Sequence, residues 1–296
     1  MYQTRQKINL REERDFGEKL NATFTFIKQN FKPLSKSILL YVSPVAILAG
    51  IFSGIYQSRL FQQLNGEGPY SNVGEFTVFS QVTSLNQLIS IFFAILAYVV
   101  VALTIYGFMA AYMDEEGEVR PAAVWDHIKR NIIQATYSSI VIGVVCILSI
   151  FLFGLGIYLM VVLSLFLAVM VREETGFVDT IERCFYLIKG NWWATLGLMI
   201  VAGIIQTVIA WLAAIPLGAV MILRGLLVPG AESDALLIIS NTITTLLTTF
   251  TYCISVLAIG FQYFNLVEEK DGVGLMEQVE LIGKTDTNTA ANEGEF

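Results

Sequence analysis

Residue types that usually carry catalysis are sparse in this chain of 296 residues. One histidine, His127, lies on the polar side of "WDHIKRN" (125–131). Alone there, it reads as a solvated side chain rather than a ligand or general base. The pairs Glu12-Glu13, Glu115-Glu116 and Glu173-Glu174 have the composition for acid–base chemistry. Adjacent helical residues point in different directions, so neither pair member backs up the other on one bond. These pairs suit the starts of surface helices, where negative charge complements the helix dipole. Cys146, Cys184 and Cys253 form no framework and read as small apolar residues. No His/Cys/Asp/Glu set has metal-ligand spacing, and no glycine-rich phosphate loop or nucleophile elbow occurs. The sequence therefore predicts no catalytic set, no metal, no cofactor and no enzyme.

A second kind of chemistry is hydrogen bonding inside an apolar segment. "SNTITTLLTTFTYCIS" (240–255) carries Ser240, Thr242, Thr244, Thr245, Thr248, Thr249, Thr251 and Ser255, with Asn241 among them. Such hydroxyls bond back to their own helix or to a neighbouring helix. Alternatively they line a polar groove for a lipid headgroup or other amphiphile, with Gln206, Asn241, Thr244, Thr248 and Thr251 as the lining. Ser43, Gly50, Ser53 and Gly54 in "SPVAILAGIFSG" are small enough for close helix packing.

The elements that must position these residues follow from composition. Hydrophobic residues make up 55% and charged residues 15%, with mean hydropathy +0.65, against about 25% charge in a soluble domain. No Asp, Glu, Lys or Arg occurs in 37–58, 85–113, 132–171, 192–223 or 235–267. A bilayer core takes a helix of about 20 apolar residues. The expected fold is all-α and integral to a membrane, with spans near 37–56, 87–112, 133–153, 155–172, 194–222 and 236–266. Gly154 and Gly156 supply the turn between the third and fourth spans, and Pro216 a bend in the fifth. Of the 18 Lys and Arg residues, only Arg59 and Arg224 fall on one side of this topology. The positive-inside rule then puts both termini in the cytoplasm. No cleaved signal peptide is expected. The net charge of −7 gathers largely in the C-terminal tail, and no nucleic-acid footprint is visible.

A repeat organises these spans. "REERDFGEKLNATFTFIKQN" (11–30) lies without gaps over "REETGFVDTIERCFYLIKGN" (172–191), with eight of twenty positions identical. "WDHIKRN" preserves an aromatic residue, then Ile128, Lys129 and Asn131. Three units are expected, about 11–113, 114–172 and 173–267, each a cytoplasmic interfacial amphipathic helix leading into a transmembrane hairpin. Phe16, Leu20, Phe24, Ile27 and Phe31 trace one face of the first such helix. Phe177, Ile181, Cys184, Phe185, Ile188 and Trp192 trace the face in the third. Val124, Trp125, Ile128 and Ile132 make a shorter one in the middle, with Pro121 near its start.

Each amphipathic stretch ends on a Lys and an Asn two residues later: Lys28/Asn30, Lys129/Asn131 and Lys189/Asn191. The lysine complements the negative end of the helix dipole. Gly190 or Asn191 can adopt the left-handed conformation that stops a helix, as can Asn30 and Asn131. Trp192 and Trp193 then sit at headgroup depth, with the lysines reaching lipid phosphates. The string predicts an elbow, and these residues are candidate headgroup contacts.

"GFVDTIERCFYLIKGNWWATLGL" resembles the membrane domain attached to some bacterial glycerophosphoryl diester phosphodiesterases. It is also similar to YciC-like and DUF975-type six-span bacterial membrane proteins. The resemblance rests on about 25 residues here, with six-span agreement elsewhere. It implies an integral membrane module; where hydrolysis occurs in that family, a separate soluble domain performs it. These 296 residues leave no room for such a domain, so hydrolase activity is not expected. The expectation is a non-enzymatic multi-pass module of the bacterial cytoplasmic membrane. It would act through lipids or a protein partner as organiser, assembly factor or accessory subunit. The alternative is a transporter or flippase-like carrier. Ionisable groups, which ion-coupled transport usually places within spans, are missing from all six. The loop 57–86 is the one sizeable extracytoplasmic segment expected, its "NGEGPYSNVG" reads as turns, and 268–296 reads as an acidic, largely disordered tail with a short helix at 274–283.

Overall fold

A computed structural model describes residues 7–64, 84–114, 119–150, 154–276 and 279. The elements are all helices: α1 (Phe16–Gln29), α2 (Phe31–Tyr41), α3 (Ser43–Leu64), α4 (Leu85–Asp114), α5 (Pro121–Ile150), α6 (Leu155–Leu163), α7 (Phe166–Glu173), α8 (Phe177–Ile188), α9 (Trp192–Ala213), α10 (Ile215–Gly225) and α11 (Asp234–Asp271). Five segments are long and apolar enough to cross a membrane: α4, α5, α6 with α7, α9 and α11. A sixth is the pair α2 and α3, bent by 52°.

That bend corrects the expected unbroken first span. Pro44, the second residue of α3, has no N–H to offer the Leu40 carbonyl, so the helix breaks at Val42. The fifth span breaks for the same reason, at Ala214, with Pro216 second in α10. The fourth span is interrupted by a turn at Ser164 and Leu165. The last helix passes the expected boundary at residue 267 and reaches Asp271, where Gly272 caps it in the left-handed conformation. Within the expected 274–283 helix, residues 274–276 are helical. Residues 65–83 of the 57–86 loop, Glu115-Glu116 and the tail from 280 lie outside the described residues.

α4 and α11 form the centre, and α3 packs against both. α3 meets α11 antiparallel, through small residues. A Cβ on Gly50 would lie 2.6 Å from the Thr242 Cα, so only glycine permits this approach. Asn241 closes the contact, its Nδ2 donating to the Gly50 carbonyl at 2.9 Å and to Ser53 Oγ at 2.7 Å.

The N-terminal segment, the start of α5, α8 and the end of α11 come together at one end of the bundle, the clasp end. Phe26 of α1 is fully buried there, edge-on to Phe108, Tyr112 and Phe261 at centroid distances of 6.0, 4.9 and 5.8 Å. The buried side of α1 is Lys19, Ala22, Thr23 and Phe26. The apolar face read from spacing is a different one: its rings Phe16, Phe24 and Phe31 are exposed. In α8 the buried residues are Thr180, Cys184, Leu187 and Ile188, with Phe177 and Ile181 packed against the same core and Phe185 exposed.

Candidate functional site

The three Lys-x-Asn endings do not share one geometry. Asn30 joins α1 to α2 with φ −107° and ψ 16°, and Asn191 precedes α9 with φ −112° and ψ 14°. The two asparagines thus share one backbone conformation. The left-handed residue is Gly190, at φ +92°, and neither asparagine adopts that conformation. In the middle unit the elbow expected at Asn131 does not form: α5 runs unbroken from Pro121 to Ile150. Asn131 is buried inside it, with Nδ2 donating to the His127 carbonyl at 3.0 Å.

The breakers explain the difference. Pro33 lacks the N–H that would continue α1 past Gln29, and Gly190 turns the chain after α8. The corresponding middle-unit residues are Gln134 and Arg130, which favour helix continuation. Similarly, Glu173-Glu174 does not open a helix: Glu173 ends α7 and Glu174 caps it. His127 is not a solvated side chain. It is half-buried against Gly107, and its Nδ1 has no hydrogen-bond partner.

Around the third elbow a polar network assembles from four distant segments. Arg183 Nε donates to both oxygens of Glu173 at 3.0 Å, and Nη2 donates to Asp271. Tyr263 donates its hydroxyl to Glu173 at 3.1 Å. Asn191 Nδ2 donates to both oxygens of Glu269 at 2.8 and 2.9 Å. Below them, Gln262 Nε2 donates to Thr195 Oγ1 at 2.8 Å in a buried contact. On the other side of α11, the Arg14 N–H donates to Asn265 Oδ1 at 2.6 Å. The end of α11 therefore clasps the first and third units together.

Burial alone would lower the Arg183 pKa. The Asp271 and Glu173 carboxylates outweigh it, so the net shift is upward and the guanidinium stays charged. Burial pushes the Cys184 thiol up to about 12, with Glu173 adding to the effect. Burial lowers the Lys19 pKa, opposed by Glu269 and Asp15.

Outside this network the elbows present unpaired cations beside apolar rings. Lys28, Lys32, Lys36 and Lys189 are exposed and make no ion pair among the described residues. Trp193 is 77% exposed and Phe31 62%. Trp192 is half-buried, stacked on Tyr158 at 6.1 Å, and its indole N–H points to the Tyr158 carbonyl at 3.4 Å. Lys129 differs, being paired with Asp126 at 2.7 Å.

The polar-groove residues are engaged in helix packing. Thr244 Oγ1 accepts the Leu217 N–H at 3.2 Å, beside the Pro216 break. Thr248 and Thr251 donate to carbonyls of their own helix, at 2.9 Å to Thr244 and 2.7 Å to Thr248. Gln206 accepts from Ser255, and Asn241 serves the α3–α11 contact. Residue spacing did not reveal the Arg183–Glu173–Tyr263–Asp271 network, whose members are far apart in sequence. One signal for it was present: Gln262, Asn265 and Glu269 form a polar stripe at steps of three and four on an otherwise apolar helix. No group of three or more His, Cys, Asp or Glu able to hold a metal occurs among the described residues. The chain matches no protein-family profile, no curated protein and no solved structure.

Proposed function

We propose that this is a multi-pass protein of a bacterial cytoplasmic membrane, with the clasp end and both termini in the cytoplasm. It is built from three related units of which the middle one has lost its elbow. It acts without catalysis, through lipids or a membrane protein partner, as an organiser, assembly factor or accessory subunit. The observation that carries this reading is the division of charge at the clasp end. Arg183 and Arg14 are consumed in internal contacts, whereas Lys28, Lys32, Lys36 and Lys189 make no ion pair among the described residues and lie on the same elbows as exposed Phe31 and Trp193. Free cations beside aromatic rings suit an anionic headgroup layer. Through the groove at Gln206, Asn241, Thr244, Thr248 and Thr251, the carrier reading has less support, because those groups already have partners.

Purification from native membranes followed by mass spectrometry tests the reading. Retained anionic lipid or a stable partner is expected, with retention reduced when Lys28, Lys32, Lys36 and Lys189 are changed to Gln. Recovery of neither lipid nor partner would overturn it. Orientation is tested separately with single cysteines at 185 and 226 in intact cells: an impermeant reagent is expected to label only position 226.

A further inference from the structure

Apart from the clasp, one cavity of about 530 Å³ opens between α4, α5, the α6–α7 break, α9 and α11. Its wall includes Tyr98, Ser139, Gly143, Cys146, Ser164 and Tyr252, and among the described residues no charged side chain lines it. Most of the remaining wall is aliphatic. Tyr98 and Tyr252 meet edge to face at 5.9 Å. Ser164 satisfies its hydroxyl on the Val161 carbonyl at 2.7 Å. Among the described residues, the hydroxyls of Tyr98, Tyr252 and Ser139 make no hydrogen bond. A volume of this size falls in the range of small-ligand sites, which pair apolar walls with a few polar groups that fix orientation.

We infer that this cavity holds an uncharged lipid, its chain against the aliphatic wall and its carbonyl or hydroxyl group against Tyr98, Tyr252 and Ser139. The inference rests on the membrane reading above and names a ligand class for a site distinct from the elbows. A phosphate headgroup does not suit the cavity, because a charge there would meet no counter-charge. Two lipid classes share the required chemistry, isoprenoid quinones and diacylglycerols.

Gly143 provides a clean test. A Cβ added there meets nothing within 4 Å, and the residue lines the cavity, so Gly143→Phe is expected to place its ring in the cavity with the backbone unmoved. Gly203 is equally unhindered but is not part of the cavity wall, so Gly203→Phe is the control. The full chain and both variants are incorporated into phosphatidylcholine nanodiscs containing either decylubiquinone or dioleoylglycerol, re-isolated in detergent and extracted for mass spectrometry. The expected result is retention of one of the two probes by the unmodified chain and by Gly203→Phe, with about tenfold less on Gly143→Phe. Tyr98→Phe combined with Tyr252→Phe is expected to reduce retention several-fold while leaving the fold intact. Equal retention by Gly143→Phe, or retention of phosphatidylcholine alone, overturns the inference and leaves the membrane reading standing. Failure of the chain to enter nanodiscs overturns both.

Discussion

The first and third units turn at an asparagine, whereas the middle unit runs straight through one. All three carry Lys-x-Asn at the corresponding place, so the asparagine does not make the elbow. Pro33 makes the first elbow by withholding an N–H, and Gly190 makes the third by adopting φ +92°. The middle segment has neither breaker, and its amphipathic stretch continues into the apolar one as the 30-residue α5. The same short string can thus stand at a corner in one place and inside a helix in another.

The strongest way to break this comparison is to impose an elbow on the middle unit. Gln134→Pro removes a helical hydrogen bond, clashes with the Arg130 carbonyl and loses the contact from Gln134 to the Thr175 carbonyl. It is expected to cost about 3 kcal/mol or more, read as a fall in thermal midpoint in detergent. Next in size is the clasp of the third unit. Arg183→Ala strands Glu173 and Asp271, each about a quarter exposed, and is expected to cost about 2 kcal/mol. Gly190→Ala strains the third elbow and is expected to cost about 1 kcal/mol. Arg130→Ala, in the middle unit, breaks a pair with Glu174 whose partners are 58% and 53% exposed. Its expected cost is below about 0.5 kcal/mol. If Arg130→Ala cost as much as Arg183→Ala, the contrast between the units would collapse.

Alkylation sharpens the same contrast. The Cys184 pKa of about 12 leaves little thiolate near neutrality, so its iodoacetamide labelling is expected to be slow at about pH 8. Because the side chain is fully buried, the rate should stay well below that of an exposed thiol at the same pH. A rate matching that of a free thiol near neutrality would mean that α8 does not seat its inner face on the core.

The long apolar helices were legible in the sequence because five charge-free runs have the length a bilayer-crossing helix requires. The breaks near Pro44 and Pro216 follow from a missing donor, yet only the second was expected. Pro44 lies where a helix start and a mid-span bend read alike. The apolar face of α1 was legible, but its buried side was not: Phe16, Phe24 and Phe31 point outward while Ala22, Thr23 and Phe26 face the core. The candidate headgroup residues of the outer units were visible in Lys-x-Asn. The clasp was not, because its partners are as many as 251 residues apart, in the Arg14–Asn265 contact, and local pattern carries no record of such pairs. Likewise, the hydroxyl-rich stretch gave no hint of whether its groups would line a void or bond to their own helix.

The 38-residue α11 is the last helix to be synthesised among the described elements. It supplies the surface that fits Gly50 and Gly54, a ring against Phe26, and the acceptor for the Arg14 backbone. The N-terminal segment, α1 and α3 therefore keep an uncovered flank until this final piece is released. Quality control of a truncated product would have a ready mark to recognise: a chain halted before residue 234 leaves the glycine face of α3 bare.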